Sequence, residues 1–86
     1  MNKMILVAVR DKKAEFYHPP YAVPTVAMAV RGFGDAVLKG NSDLSAHPED
    51  FTLFKVGEYD QLTGLVSSCE PVSIACGLDF TDKKGE

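Results

Sequence analysis

The chain has 86 residues, 45% of them hydrophobic, which supports one compact core and excludes two independent domains. Its formal charge of −3 and pI near 5.3 argue against tight, sequence-independent binding of duplex DNA, whose strength follows the number of phosphates neutralised. No apolar run approaches the ~20 residues of a bilayer span, and Met4 to Val9 is too short for a signal peptide, so the expectation is a cytosolic single domain over residues 1–86.

"MILVAV" (4–9) is a short apolar run rich in β-branched residues and predicts a central strand buried on both faces. "RDKKAEFYHPPY" (10–21) follows, and with Pro24 its prolines forbid a regular helix and predict an extended loop. Thr25 is placed to cap the next segment. There Val26, Ala29, Val30, Phe33 and Val37 share one helical face, with Lys39 and Gly40 as the stop. Gly32 and Gly34 each cost this helix roughly 1 kcal/mol against Ala, and close packing on the sheet is the expected compensation. "RGFGD" is no phosphate loop, because no strand directly precedes it and no GK[ST] follows.

Beyond a polar loop, "FTLFKVGEY" (51–59) reads as a strand with Phe51, Leu53 and Val56 in the core. "DQLTG" (60–64) has hairpin chemistry with Gly64 at positive φ, and "LVSSC" should return antiparallel. Pro71 is expected to interrupt before an edge strand at 72–76, and residues 79–86 are expected to form a flexible tail. The sum is an α+β domain, one helix packed on a small, mainly antiparallel sheet of three to four strands. A domain this small buries only about 60% of its unfolded surface, so a homodimer is expected to add stability.

Catalytic and metal constellations are sparse. Cys69, Cys76, His18 and His47 are the only cysteines and histidines and offer no zinc-site spacing, so no metal or cofactor is expected and the thiols are read as free. Ser67 and Ser68 lack a neighbouring His and Asp, and no enzyme is expected. "HPED" (47–50) reads as a turn or helix start with Pro at the first helical position. Glu49, Asp50, Glu58 and Asp60 could supply carboxylates to a divalent ion, but strand alternation sets Glu58 on the face opposite Tyr59.

Charge is unevenly spread. Through Arg31, five basic residues face two acids, and from Gly32 onward four lysines face ten acids. A basic face for phosphate and head-to-tail self-association both fit this asymmetry. Arg10, Lys12 and Lys13 beside Phe16, Tyr17 and Tyr21 match the inventory of a single-strand groove, where cations follow phosphates and bases stack on rings. The same residues equally suit a core Phe16, tyrosines packed under a proline loop and solvated lysines.

"RDKKAEFYHPPY", the helix with Arg31, Phe33 and Asp35, and "HPEDFTLFKVGEYDQLTG" together resemble the small nonstructural protein of gokushovirus-type microviruses, tailless phages with circular single-stranded DNA genomes. The matching positions include Asp11, Lys13, Ala14, Glu15, Pro48 to Phe51, Gly57 to Asp60, Thr63 and Gly64, within coverage from about Met4 to Val66. The resemblance implies a nonenzymatic protein of the infected bacterium's cytoplasm that binds single-stranded DNA in genome synthesis or packaging. On that basis Arg10, Lys12, Lys13 and Arg31 become candidate phosphate contacts, with Tyr17 and Tyr21 stacking on bases. The alternative is an interaction module docking on viral capsid, scaffold or host replication proteins without touching DNA.

Overall fold

The computed structural model describes residues 2–40 and 42–81. Five strands and three helices follow in the order β1 (Lys3–Asp11), β2 (Phe16–Tyr17), β3 (Tyr21–Val23), α1 (Val26–Lys39), α2 (Asp43–Ala46), a 3-10 turn (Pro48–Asp50), β4 (Phe51–Asp60), β5 (Val66–Cys76) and α3 (Leu78–Thr81). The sheet is entirely antiparallel. β1 is central, flanked by β4 on one side and by both β2 and β3 on the other, and β5 closes the far edge.

The α+β expectation holds, with two differences in count. The stretch read as one loop contains β2 and β3, which add a broken strand to β1; His18 N–H still donates to the Val9 carbonyl, but Pro19 and Pro20 have no N–H to continue the ladder. The polar loop contains α2, opened by Ser42 in a capping box with Ser45. That box is built from serines alone, so the usual Glu/Gln signal was missing.

Helix α1 begins where its sequence says. The Thr25 hydroxyl accepts from Met28 N–H at 3.2 Å, and Gly40 ends the helix at φ 90. Its buried face, Ala29, Phe33 and Val37, packs on Val7, Val9, Phe51, Leu53 and Ala75. Burying each larger side chain stabilises by about 1.5–3 kcal/mol, so this single layer of contacts is the core.

The sheet is longer than the helix that covers it. At about 1.5 Å per residue α1 spans about 21 Å, whereas ten residues of strand span about 33 Å, so the β4–β5 hairpin runs on as an arm. Every residue from Gln61 to Ser73 is exposed. Gly64, at φ 78, closes its turn by donating to the Asp60 carbonyl at 2.8 Å, as the hairpin motif predicts. Pro71 does not split the return into two strands. It sits where Lys55 pairs with Val72 and Gly57 with Ser68, an irregularity that holds the proline as a bulge inside one continuous β5. Opposite it, a Cβ on Gly57 would strike the Ser67 carbonyl.

The tail expectation changes too. Asp79 and Phe80 belong to α3, and the Phe80 ring lies edge-on to Phe33 at 5.8 Å; residues 82–86 lie outside the described residues. Gly34 is close-packed, though against Phe80 rather than the sheet, and a Cβ there would come within 2.6 Å of the ring. Around Gly32 there is open space. Gly32→Ala should therefore stabilise by about 0.5–1 kcal/mol through helix propensity, and Gly34→Ala should destabilise by about 1–3 kcal/mol by displacing α3, both read from urea unfolding midpoints.

Candidate nucleic-acid interface

Cross-strand partners share a face, so the register sorts the paired strand residues. Ile5, Val7 and Val9 look toward α1. Met4, Leu6, Ala8 and Arg10 look away, onto a face that no helix among the described residues covers. Their partners there are Tyr59, Gly57, Phe54 and Thr52 on β4, then Val66, Ser68, Ser73 and Cys76 on β5, with Ala22 and Tyr17 at the opposite margin. The bare face is thus rich in aromatic and aliphatic groups. Strand β1 is not buried on both faces as expected; Ala8, 2% exposed, is screened by its larger neighbours rather than by a second layer.

At one end of this face three side chains form a connected group. The Tyr17 ring meets Phe54 edge-on at 5.5 Å, and the Arg10 guanidinium lies 5.8 Å from the Tyr17 centroid. Such an arrangement holds a cation against a ring while leaving ring faces to a partner. Tyr17 remains 41% exposed. The acids of β1 and β4, Asp11, Glu58 and Asp60, pair with Phe16, Ile5 and Lys3, which places all three on the helix side. The ion pairs Lys3–Glu58 at 3.7 Å and Lys55–Glu58 at 3.4 Å lie there as well. Among the strand residues that the register pairs, the bare face carries Arg10 and no carboxylate; Glu70 of β5 has no register partner and stands two positions from Ser68.

The other sequence candidates are dispersed. Lys12 and Lys13 occupy the β1–β2 turn, which Asp11 organises by accepting from the N–H groups of Lys13 and Ala14, with Glu15 at φ 64. Lys12 N–H donates to the Asp50 carbonyl at 2.7 Å, drawing this turn against the 3-10 turn. Lys13 consequently lines a shallow cleft of about 420 Å³ with Asp11, Asp43, Glu49 and Asp50, and four carboxylates oppose one ammonium. Tyr21 pairs with Val7 and so belongs to the helix side, across the sheet from Tyr17. Arg31 is exposed on α1, two positions from Ala29 and Phe33 in the buried face, and so is separated from the bare face by the sheet itself. Of the six residues, only Arg10 and Tyr17 meet.

Phe54 and Tyr59 complete the bare face but were absent from the sequence candidates. Their signal was strand alternation against Leu53, masked by the bulge that puts Val56 out of step between Lys55 and Gly57. His47, Glu49 and Asp50 bring donor atoms within 4.8 Å of one another on an exposed turn, with Pro48 at the first helical position as "HPED" suggested. Cys76 is half-buried and Cys69 exposed, its thiol 3.9 Å from the Lys55 carbonyl; both are free.

Burial pushes the Tyr21 phenol above its ordinary value of 10.0. A raised acid keeps its proton longer in the folded state, so its contribution to stability is intact below the unfolded pKa and is lost as pH rises through the folded one. Tyr21→Phe should leave neutral-pH stability nearly unchanged and reduce the loss of stability above pH 10, measured by urea unfolding across that range.

Among the described residues, no helix is long and apolar enough to cross a membrane. A family model described as Phage ORF5 protein matches residues 4–80, and the chain belongs to that family. No curated protein and no solved structure matches it.

Proposed function

We propose that this member of the Phage ORF5 protein family is a nonenzymatic protein that holds single-stranded DNA on the bare face of its sheet. Its setting would be genome synthesis or packaging in the cytoplasm of the infected bacterium. The observation that carries this reading is the segregation of groups across the sheet: Arg10, Tyr17, Phe54 and Tyr59 on the uncovered face, and the carboxylates of β1 and β4 on the other. Bases in a duplex have their faces occupied by neighbouring bases, whereas a single strand offers them to aromatic rings. Tyr17 and Phe54 present such rings, and Arg10 can reach a phosphate while remaining against Tyr17. With one cation on the face, stacking supplies most of the affinity.

Compared with the sequence candidates, the site moves from the Lys12–Lys13 turn to the sheet. Carboxylates around Lys13 repel phosphate as the lysine attracts it. Tyr21 and Arg31 fall outside the proposed contact surface.

Titration of a labelled oligonucleotide, followed by fluorescence anisotropy, tests this. Tyr17→Ala should weaken binding about 5- to 150-fold, the equivalent of losing one stacked base at 1–3 kcal/mol. The pair Lys12→Glu and Lys13→Glu should change it by no more than about threefold, since both stand on the β1–β2 turn away from the proposed contact surface and Lys13 is already opposed by carboxylates. The slope of log K against log salt should stay near −0.7 to −1.5, reflecting about one or two phosphates. No binding at micromolar protein in low salt would remove the proposal.

A further inference from the structure

We infer that β5 is a self-pairing edge, so that two copies join antiparallel along Val66–Glu70 into one continuous sheet. This inference stands independently of the DNA reading. Strand β5 is the last of the sheet, and no described strand lies beyond it. Its edge is not uniformly open. At one end the Cys76 N–H already donates to the Asp79 carboxylate at 2.9 Å, and in the middle Pro71 has no N–H to offer. The longer of the two stretches clear of these features is Val66–Glu70, next to the arm's tip. An unpaired edge with exposed aliphatic groups is a template for another strand.

The occupant follows from charge and shape. Between Gln61 and Cys76 the only charged residue is Glu70, so the strip has no cation for phosphate and almost nothing for a charged peptide to pair with. Leu62 is 77% and Leu65 67% exposed, and Val66 and Val72 are each more than half exposed. A second copy matches this strip because it brings the same near-neutral edge and the same aliphatic groups, the requirement of an isologous twofold interface.

Laying Val66–Glu70 antiparallel on itself puts Ser68 at the axis and Ser67 opposite Cys69. The two Glu70 residues are then about 13 Å apart along the strands, beyond a physiological Debye length of about 8 Å. Leu65 of each copy then approaches Pro71 and Val72 of the other, covering apolar surface that the monomer leaves in water. The twofold axis of an antiparallel ladder is perpendicular to the sheet. Both bare faces therefore lie on the same side, and both α1 helices on the other. The thirteen exposed residues from Gln61 to Ser73 are fewer than the 20–30 per side of a standard interface, so dissociation in the range of about 1–100 µM is expected.

Sedimentation equilibrium of the intact chain without DNA, from ~1 to ~200 µM, should show a monomer–dimer equilibrium. The exposed pair Leu65→Lys and Val72→Lys should weaken it at least about tenfold while leaving the circular dichroism spectrum unchanged. In the wild type, hydrogen exchange of the Val66–Glu70 amides should slow as concentration rises. A monomer throughout the range would overturn the inference, as would a dimer insensitive to the paired substitution or one whose concentration-dependent protection maps outside β5. Because Tyr17 is remote from this edge, its oligonucleotide titration can fail while the dimer persists, and the reverse, so the two proposals are judged separately.

Discussion

One helix against one face of the sheet is the contact on which the remaining structure depends. Phe33, Val37 and Ala29 of α1 meet Val7, Val9, Leu53, Phe51 and Ala75, and among the described residues these form the buried core, with no second helix packed on the opposite face. A domain this small has little stability in reserve, so the other face must either stay in water or be covered by something else. The same limit leaves the far half of the β4–β5 hairpin without a helix beneath it. The uncovered face and the projecting arm are two consequences of a single small core.

Alternation along the strands converts that one-sidedness into chemistry. Once Val7 and Val9 commit to the helix, Ala8 and Arg10 must face outward, and their cross-strand partners Phe54, Thr52 and Tyr17 must do the same. Asp11, Glu58 and Asp60 are carried to the helix side by the same rule. The bulge at Val56 keeps this sorting in step across ten residues of β4: without it, Tyr59 and Glu58 would exchange faces. A chain that is acidic overall thereby keeps the carboxylates of β1 and β4 off one broad surface.

The edges of the sheet are treated unequally. β2 and β3 cover one side of β1 in two short pieces because Pro19 and Pro20 break the ladder between them. On the far side, Asp79 and Pro71 close or interrupt parts of β5, and the portion nearest the arm's tip is left with aliphatic neighbours and a single charge. Leaving a strand edge open in so small a domain is a liability unless another strand meets it.

The sequence by itself determined the elements whose signals are local. The Thr25 cap, the apolar spacing from Val26 to Val37, the Gly40 stop, the alternating run from Phe51 and the Asp60–Gly64 turn all appear where their residues place them, because capping, amphipathicity and positive φ act within a few residues. It also contained Arg10 and Tyr17, the two candidate residues that end up in contact. Only the tertiary structure decided their company. Lys13 acquired Glu49 and Asp50 as neighbours from a turn more than thirty residues away, Phe54 and Tyr59 reached the bare face through a bulge, and Tyr21 and Arg31 were carried to other surfaces. Each of these outcomes depends on strand register and on which face the helix covers. Both arise from contacts between distant parts of the chain, which no window of neighbouring residues encodes.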